Sequence, residues 1–306
     1  MADPGSDSRS EPGLSDRGLS DRDLSDTGLS DTGLSDTVRW DVTEAVATIV
    51  LNRPRAHNAL TAEMKTALLA ALREAAASPE VRAVLITGAG PAFCAGQDLR
   101  EHAGLLAEAQ ASAAASSGQP AGSAMDTVRQ HYNPIVLAIR SMPKPVIAAV
   151  NGVAAGAGAS LALACDLRIA ARGASFLMAF ARVGLAADTG ASWTLQRLVG
   201  AGRAAELLLL AEPLPADRAL ELGLVSHVTE DAELPAAASA LAARLAIGPT
   251  AAYAGIKAEL DYAAGHDLAA ALEKEAEVQA ALGRTTDHQA ATAAFAQKQR
   301  PTFQGR

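Results

Sequence analysis

Cysteine is almost absent: Cys94 and Cys165 are the two thiols in 306 residues, too few for a disulfide framework. No motif marks Cys94 as a nucleophile, and it reads as a small apolar residue. No apolar run reaches the roughly 18 residues that a membrane span needs, so no membrane partner is expected. Met1–Gly5 carries neither a basic nor an apolar targeting region, and a cytoplasmic protein is expected. Basic charge is scarce as well. Residues 1–37 hold nine carboxylates against three arginines, a net of −6, which leaves −2 of the chain's −8 for the rest. A body so close to neutral argues against nucleic acid as the main partner, though a local phosphate-binding patch is compatible with it. His57, His102, His131, His227, His266 and His288 lack metal-ligand spacing, and no metal site is expected.

What is present is a chain 49% hydrophobic and 20% charged, enough to bury one large core. From Gly13 to Thr37 a five-residue unit of the type Gly-Leu-Ser-Asp-Thr repeats. One leucine per unit builds no core, so residues 1–37 are read as a disordered tail. Beyond it, 45–51, 81–87, 146–150 and 167–171 read as strands, with a further short strand within 174–180. Thr61 is placed to cap a helix that runs to about Ala77 with Met64, Leu68, Leu72 and Ala75 on one face. Alternating strands and helices indicate an α/β fold over 38–234. Residues 235–306 are helical only, in four segments: 236–246, 250–264, 269–282 and 287–298. The stretch 99–125 is rich in Ala, Ser, Gly and Gln, and mobility is expected there.

Two small-residue turns carry the chemistry. Val146–Val150 is followed by Asn151-Gly152-Val153-Ala154-Ala155-Gly156-Ala157-Gly158-Ala159-Ser160, a strand-to-helix turn that leaves backbone N–H groups free at a helix N-terminus. The bland alternative is a helix packed closely on a sheet. The strand at 81–87 leads into a second such loop, Ala92-Phe93-Cys94-Ala95-Gly96-Gln97-Asp98-Leu99. Two N–H donors aimed at one oxygen form an oxyanion hole.

These two loops, with Leu51-Asn52-Arg53-Pro54, Asn58-Ala59-Leu60 and the run from Lys144-Pro145 to Asp166, resemble the crotonase (enoyl-CoA hydratase/isomerase) superfamily from about Val38 to the C-terminus. Tyr132-Asn133-Pro134, Gly152–Ala159 and Met178-Ala179-Phe180 are most similar to its 2-(1,2-epoxy-1,2-dihydrophenyl)acetyl-CoA isomerases. The resemblance implies a spiral core of ββα units and a C-terminal helical region that associates into trimers or dimers of trimers. It further implies an acyl-CoA substrate, with coenzyme A as part of that substrate and no separate cofactor. Carried over residue by residue, the oxyanion donors are the backbone N–H groups of Ala95 and Ala157. Coenzyme A binding falls to Arg55, Ala56, Gly96, Asp98 and Leu99, with Lys257 on a C-terminal helix. Asp98 also fits an N-cap or a loop brace. The insert after Leu99 flanks the acyl pocket in this family, as lid or as plain surface.

The departures from the pattern matter more. Hydratases of the family use two glutamates, and those positions hold Ser160 and Phe180, neither of which activates water or protonates carbon. Asp188 remains. Isomerases of the family place aspartate there, and one carboxylate can take a proton from one carbon and return it to another. An N-cap for the next helix, or a nucleophile as in the family's dehalogenases, are the other readings of Asp188. The expectation is an acyl-CoA isomerase working through a thioester enolate, on 1,2-epoxyphenylacetyl-CoA or an unsaturated enoyl-CoA. The rivals are a hydratase and a non-catalytic acyl-CoA-binding or RNA-binding relative.

Overall fold

The computed structural model describes residues 35–115 and 123–306. The repeat up to residue 34 lies outside them. Its last three residues do not: Asn52 donates its backbone N–H to the Thr37 carbonyl at 2.8 Å and its side-chain amide to Asp36 at 2.8 Å. Ser35 donates to Glu63 at 2.6 Å. The ordered body therefore takes in 35–37, which the repeat pattern alone assigns to the tail.

The body opens with β1 (Val38–Thr43) and β2 (Val46–Leu51), an antiparallel pair. Helix α1 (Ala62–Ala77) follows, with Thr61 accepting the N–H of Met64 at 3.2 Å as its cap. Met64, Leu68, Leu72 and Ala75 are all fully buried on its inner face, and each leucine so placed contributes about 1.5–3 kcal/mol. The ββα repeat then begins. One unit is β3 (Ala83–Gly88), β4 (Ala92–Cys94), α2 (Leu99–Ala115) and α3 (Asn133–Arg140). The next is β5 (Val146–Val150), β6 (Val153–Ala155) and α4 (Ala157–Ala164). A third is β7 (Leu167–Ala171), β8 (Ser175–Leu177) and α5 (Ala191–Leu210), closed by β9 (Leu214–Pro215), α6 (Ala216–Glu221) and β10 (His227–Thr229). The long strands of successive units stack side by side in a six-stranded sheet ordered β1-β2-β3-β5-β7-β10, and the short ones in a four-stranded sheet ordered β4-β6-β8-β9. That arrangement is the spiral expected. It sets the loops after β4 and β6 next to each other.

Four helices end the chain: α7 (Leu234–Ala246), α8 (Thr250–Ala263), α9 (Leu268–Leu282) and α10 (Thr286–Ala296). Among the described residues no helix is long and apolar enough to cross a membrane. The insert is where expectation and structure part. Residues 99–115 form α2 and not a mobile loop, because alanine is the strongest helix former and Asp98 starts the helix by accepting the N–H groups of Arg100 and Glu101 at 3.1 and 3.2 Å. Residues 116–122 of the insert lie outside the described residues.

Candidate active site

A cavity of about 600 Å³ opens between α2, the π-helical turn Val128–Tyr132, the N-terminus of α4 and the segment 179–188. The loops after β4 and β6 form its floor. Gly158 brings them together: a Cβ there would lie 2.2 Å from the Cys94 carbonyl oxygen, so only glycine lets the first turn of α4 sit on the end of β4. Gly96, at φ +89°, would place a Cβ 3.4 Å from the Ala157 nitrogen. Ala157 is the first residue of α4, and among the described residues its N–H meets no acceptor, as the helix start dictates.

Ala95 fails as the second donor. Its N–H is taken by the His57 carbonyl at 2.9 Å, and a donor already satisfied inside the protein is not free for a ligand. Two residues on, Gln97 bridges Leu60: the Leu60 N–H bonds Gly96 O at 2.7 Å, and the Asp98 N–H bonds Leu60 O at 3.1 Å. That pattern turns Gln97's own N–H away from Leu60. The positive φ of Gly96 breaks the alternation, so that Ala95 faces His57 and Gln97 faces the other way, with no acceptor among the described residues. Gln97 and Ala157 both line the cavity, and the free pair of N–H groups is theirs. Sequence reasoning stopped one glycine too early.

Asp188 is the one carboxylate lining this cavity among the described residues. Burial pushes its carboxyl above the ordinary range, partly offset by the Thr189 hydroxyl, which donates to it at 2.7 Å, and by the charge of Lys65. It does not cap α5: Gly190 occupies that position with no side-chain hydrogen bond. Phe180 is buried in the wall, and Ser160 turns its hydroxyl back to the Gly156 carbonyl at 3.1 Å. Behind the wall lies a polar cluster that no sequence pattern announces. Lys65, fully buried, donates to Gln97 Oε1 at 3.0 Å and to Thr127 Oγ1 at 2.6 Å, and Tyr132 donates to the same Gln97 oxygen at 2.6 Å.

The other expected binding residues divide. Gly96 and Leu99 line the cavity. Arg55 and Ala56 sit on the 3-10 turn Pro54–Ala56 outside it. Asp98 braces: it pairs with Arg53 at 2.9 Å and caps α2, and those bonds hold its carboxyl below the usual range despite partial burial. Lys257 is a correction. Its ammonium donates to Asp166 at 2.7 Å, to Lys144 O at 3.0 Å and to Ile139 O at 3.2 Å, so its three protons are committed inside the fold. Cys94 and Cys165 are buried thiols pushed up to about 12, inert at neutral pH. Among the described residues no three His, Cys, Asp or Glu side chains are grouped to hold a metal ion.

The Enoyl-CoA hydratase/isomerase family matches residues 41–306. The chain belongs to that family. A probable enoyl-CoA hydratase of Rhodobacter capsulatus is 42% identical over 270 residues, spanning 88% of this chain and 98% of the relative. The 1,2-epoxyphenylacetyl-CoA isomerase of Escherichia coli is 40% identical over 268 residues, 87% and 97% of the two chains. A solved structure from Mycobacterium abscessus is 45% identical and superposes with a TM-score of 0.81, covering 88% of this chain and 100% of the other. As a member of the enoyl-CoA hydratase/isomerase family the chain is an enzyme.

Proposed function

We propose that the protein is an acyl-CoA isomerase in which the thioester oxygen lies between the N–H groups of Gln97 and Ala157 and Asp188 moves the proton. The observation that carries this reading is Asp188, a lone carboxylate in a cavity whose other candidate acid positions hold Ser160 and Phe180. Two N–H donors stabilise negative charge on the thioester oxygen as a proton leaves the adjacent carbon. The Asp188 carboxylate accepts that proton, and the resulting acid returns it two carbons along the enolate, which shifts a double bond without consuming water. A raised carboxyl suits both halves, since a base nearer neutrality gains driving force for proton removal. The substrate class for this proton shift is a 3-enoyl-CoA; the likeness to the Escherichia coli isomerase supports 1,2-epoxyphenylacetyl-CoA as the other, whose isomerisation adds to the proton shift a ring expansion in which a ring carbon–carbon bond opens. Exposed apolar side chains on the last helices, Leu260 and Leu268 at 65% and 75% and Phe295 at 85%, support self-association, for which the family resemblance implies a homotrimer or a dimer of trimers.

Incubation with a panel of acyl-CoAs in deuterated water, read by mass spectrometry, tests the reaction. An isomerised product is expected, carrying deuterium to the extent that the Asp188 acid exchanges with solvent before it returns the proton. A product heavier by one water makes the enzyme a hydratase, in keeping with the Rhodobacter capsulatus relative. The hole has its own test in Ala157→Pro. Proline is tolerated at the first position of a helix and lacks the N–H, so a folded variant is expected to lose about 10²–10³ in kcat.

A further inference from the structure

We propose that Lys65 is a positioning residue of this site: from behind the Gln97–Thr127 partition its ammonium locks Gln97, so that the Gln97 N–H stays turned to the cavity, and supplies the positive charge for Asp188, whose own cavity is lined by no lysine or arginine among the described residues. The functional consequence rests on the reading of Asp188 as the proton carrier; the charge coupling itself does not.

Lysine is rarely buried unless paired, and no ion pair joins Lys65 to any carboxylate among the described residues. Neutral groups hold it. Two protons go to Gln97 Oε1 and Thr127 Oγ1, and the ammonium lies 4.9 Å from the centre of the Tyr132 ring. Thr127 is in turn 3.1 Å from His131 Nδ1. The Gln97 oxygen thus accepts from Lys65 and from Tyr132 together, which fixes the side chain of the residue whose backbone bears a free donor. Gln97 and Thr127 also form the partition between the acyl cavity and a second cavity of about 420 Å³, which Lys65 lines from behind. The cation therefore stands one side chain away from the acyl cavity. It does not touch a ligand there.

Charged and titratable groups face Lys65 from every element around it: Glu101 on α2, His131 and Tyr132 on the π-helical turn, and Asp188 on the segment before α5. Burial lowers the Lys65 ammonium, and Glu101 and Asp188 both raise it again. Lys65 acts in return on Asp188, pulling it down against its burial, and His131 is depressed by burial first and by Lys65 second. Glu101 is engaged elsewhere, its two oxygens each 3.1 Å from the Ala62 N–H. Without Lys65, Asp188 keeps its burial and loses its counter-charge, so its protonated form extends to higher pH.

Carboxyl NMR of the full chain labelled with ¹³C-aspartate, with Asp188 assigned by its loss in Asp188→Asn, reads this directly. In Lys65→Met the Asp188 midpoint should move to higher pH, and Lys65→Arg should bring it back. An Asp188 midpoint that is the same in wild type and Lys65→Met overturns the proposal. The coupling is reciprocal, so it can also be read where Lys65→Met does not fold: the labelled Lys65 resonance should titrate at lower pH in Asp188→Asn than in wild type, and an unmoved resonance again refutes the proposal. Turnover separates this from the function itself. The acid limb of kcat/KM should move up in Lys65→Met, with about tenfold less activity on that limb for each pH unit moved. Asp188→Asn with normal turnover removes Asp188 from the chemistry whatever the titrations show.

Discussion

Lys65 is buried and Lys257 nearly so, and the fold treats them in opposite ways. Lys257 meets its counter-charge directly, at 2.7 Å from Asp166, and gives its other protons to two backbone carbonyls between α3 and β5. Asp166 is itself tied to the Val146 N–H at 2.8 Å. Every bond in that cluster joins elements of the core, and none reaches the cavity. Lys65 bonds only neutral oxygens and lies against a ring, while the carboxylates that sense it are Glu101 and, across a partition in the acyl cavity, Asp188. Burying a charge costs several kcal/mol unless good geometry offsets it. Where the pair is closed, as at Lys257, each charge is compensated inside the fold. Where it is left open, as at Lys65, the field extends to a group that can take up a proton.

The sharpest break in this comparison is Asp188→Asn. If the open pair serves chemistry, kcat for a 3-enoyl-CoA should fall by about 10²–10⁴, with acyl-CoA affinity held within a few-fold. Lys257→Met should do the reverse. Removing one partner of a buried pair leaves the other uncompensated and costs about 3–5 kcal/mol, visible in urea unfolding, whereas kcat/KM per folded molecule should be unchanged. A selective loss of acyl-CoA affinity would return Lys257 to the binding site.

A pH profile sharpens the contrast further. Asp188 is raised above the usual carboxylate range, and the protonated acid cannot accept the substrate's proton. Activity should therefore fall as pH drops through a midpoint above that of an ordinary aspartate, and a limb at the ordinary value would mean that another group limits the rate. The smallest effects belong far from both lysines. Deletion of residues 1–34 should leave the unfolding midpoint unchanged, whereas deletion of 1–37 removes the Asp36 and Thr37 acceptors of Asn52 and should cost about 1–2 kcal/mol, a difference that paired melting curves resolve.

The elements with strong local signals were legible in advance. Val146–Val150 and Leu167–Ala171 are strands over the expected residues, and Thr61 caps α1 as its hydroxyl and the apolar face behind it predict. The insert misled because small residues suggest looseness, although a run of alanines behind an aspartate cap is a good helix start. At the site, Ala157 and Asp188 line the cavity as the resemblance implied. Gln97 was missed because the direction of an N–H depends on the φ of Gly96, which sequence does not print. Lys65 was missed for a different reason. It sits in the middle of an amphipathic helix, one residue past Met64, where a lysine reads as solvated, and only the tertiary placement of Gln97, Thr127 and Tyr132 buries it.

The stacking of the spiral has one more consequence. β4 and β6 are parallel neighbours with Cys94 in register with Ala154, and Gln97 and Ala157 each lie three residues further along their own chain. The two donors thus follow the ends of neighbouring strands, and paired strands lie roughly 4.8 Å apart. Two N–H groups each about 2.9 Å from a shared oxygen are that far apart when they converge at about 110°, close to the angle between an oxygen's lone pairs. The sheet's repeat distance is in this sense the ruler of the proposed hole. The exposed side chain of Ala95 can be exchanged with the ruler intact, but inserting or deleting a single residue in either loop moves one donor past the other, so that position should tolerate substitution far better than either loop tolerates a change of length.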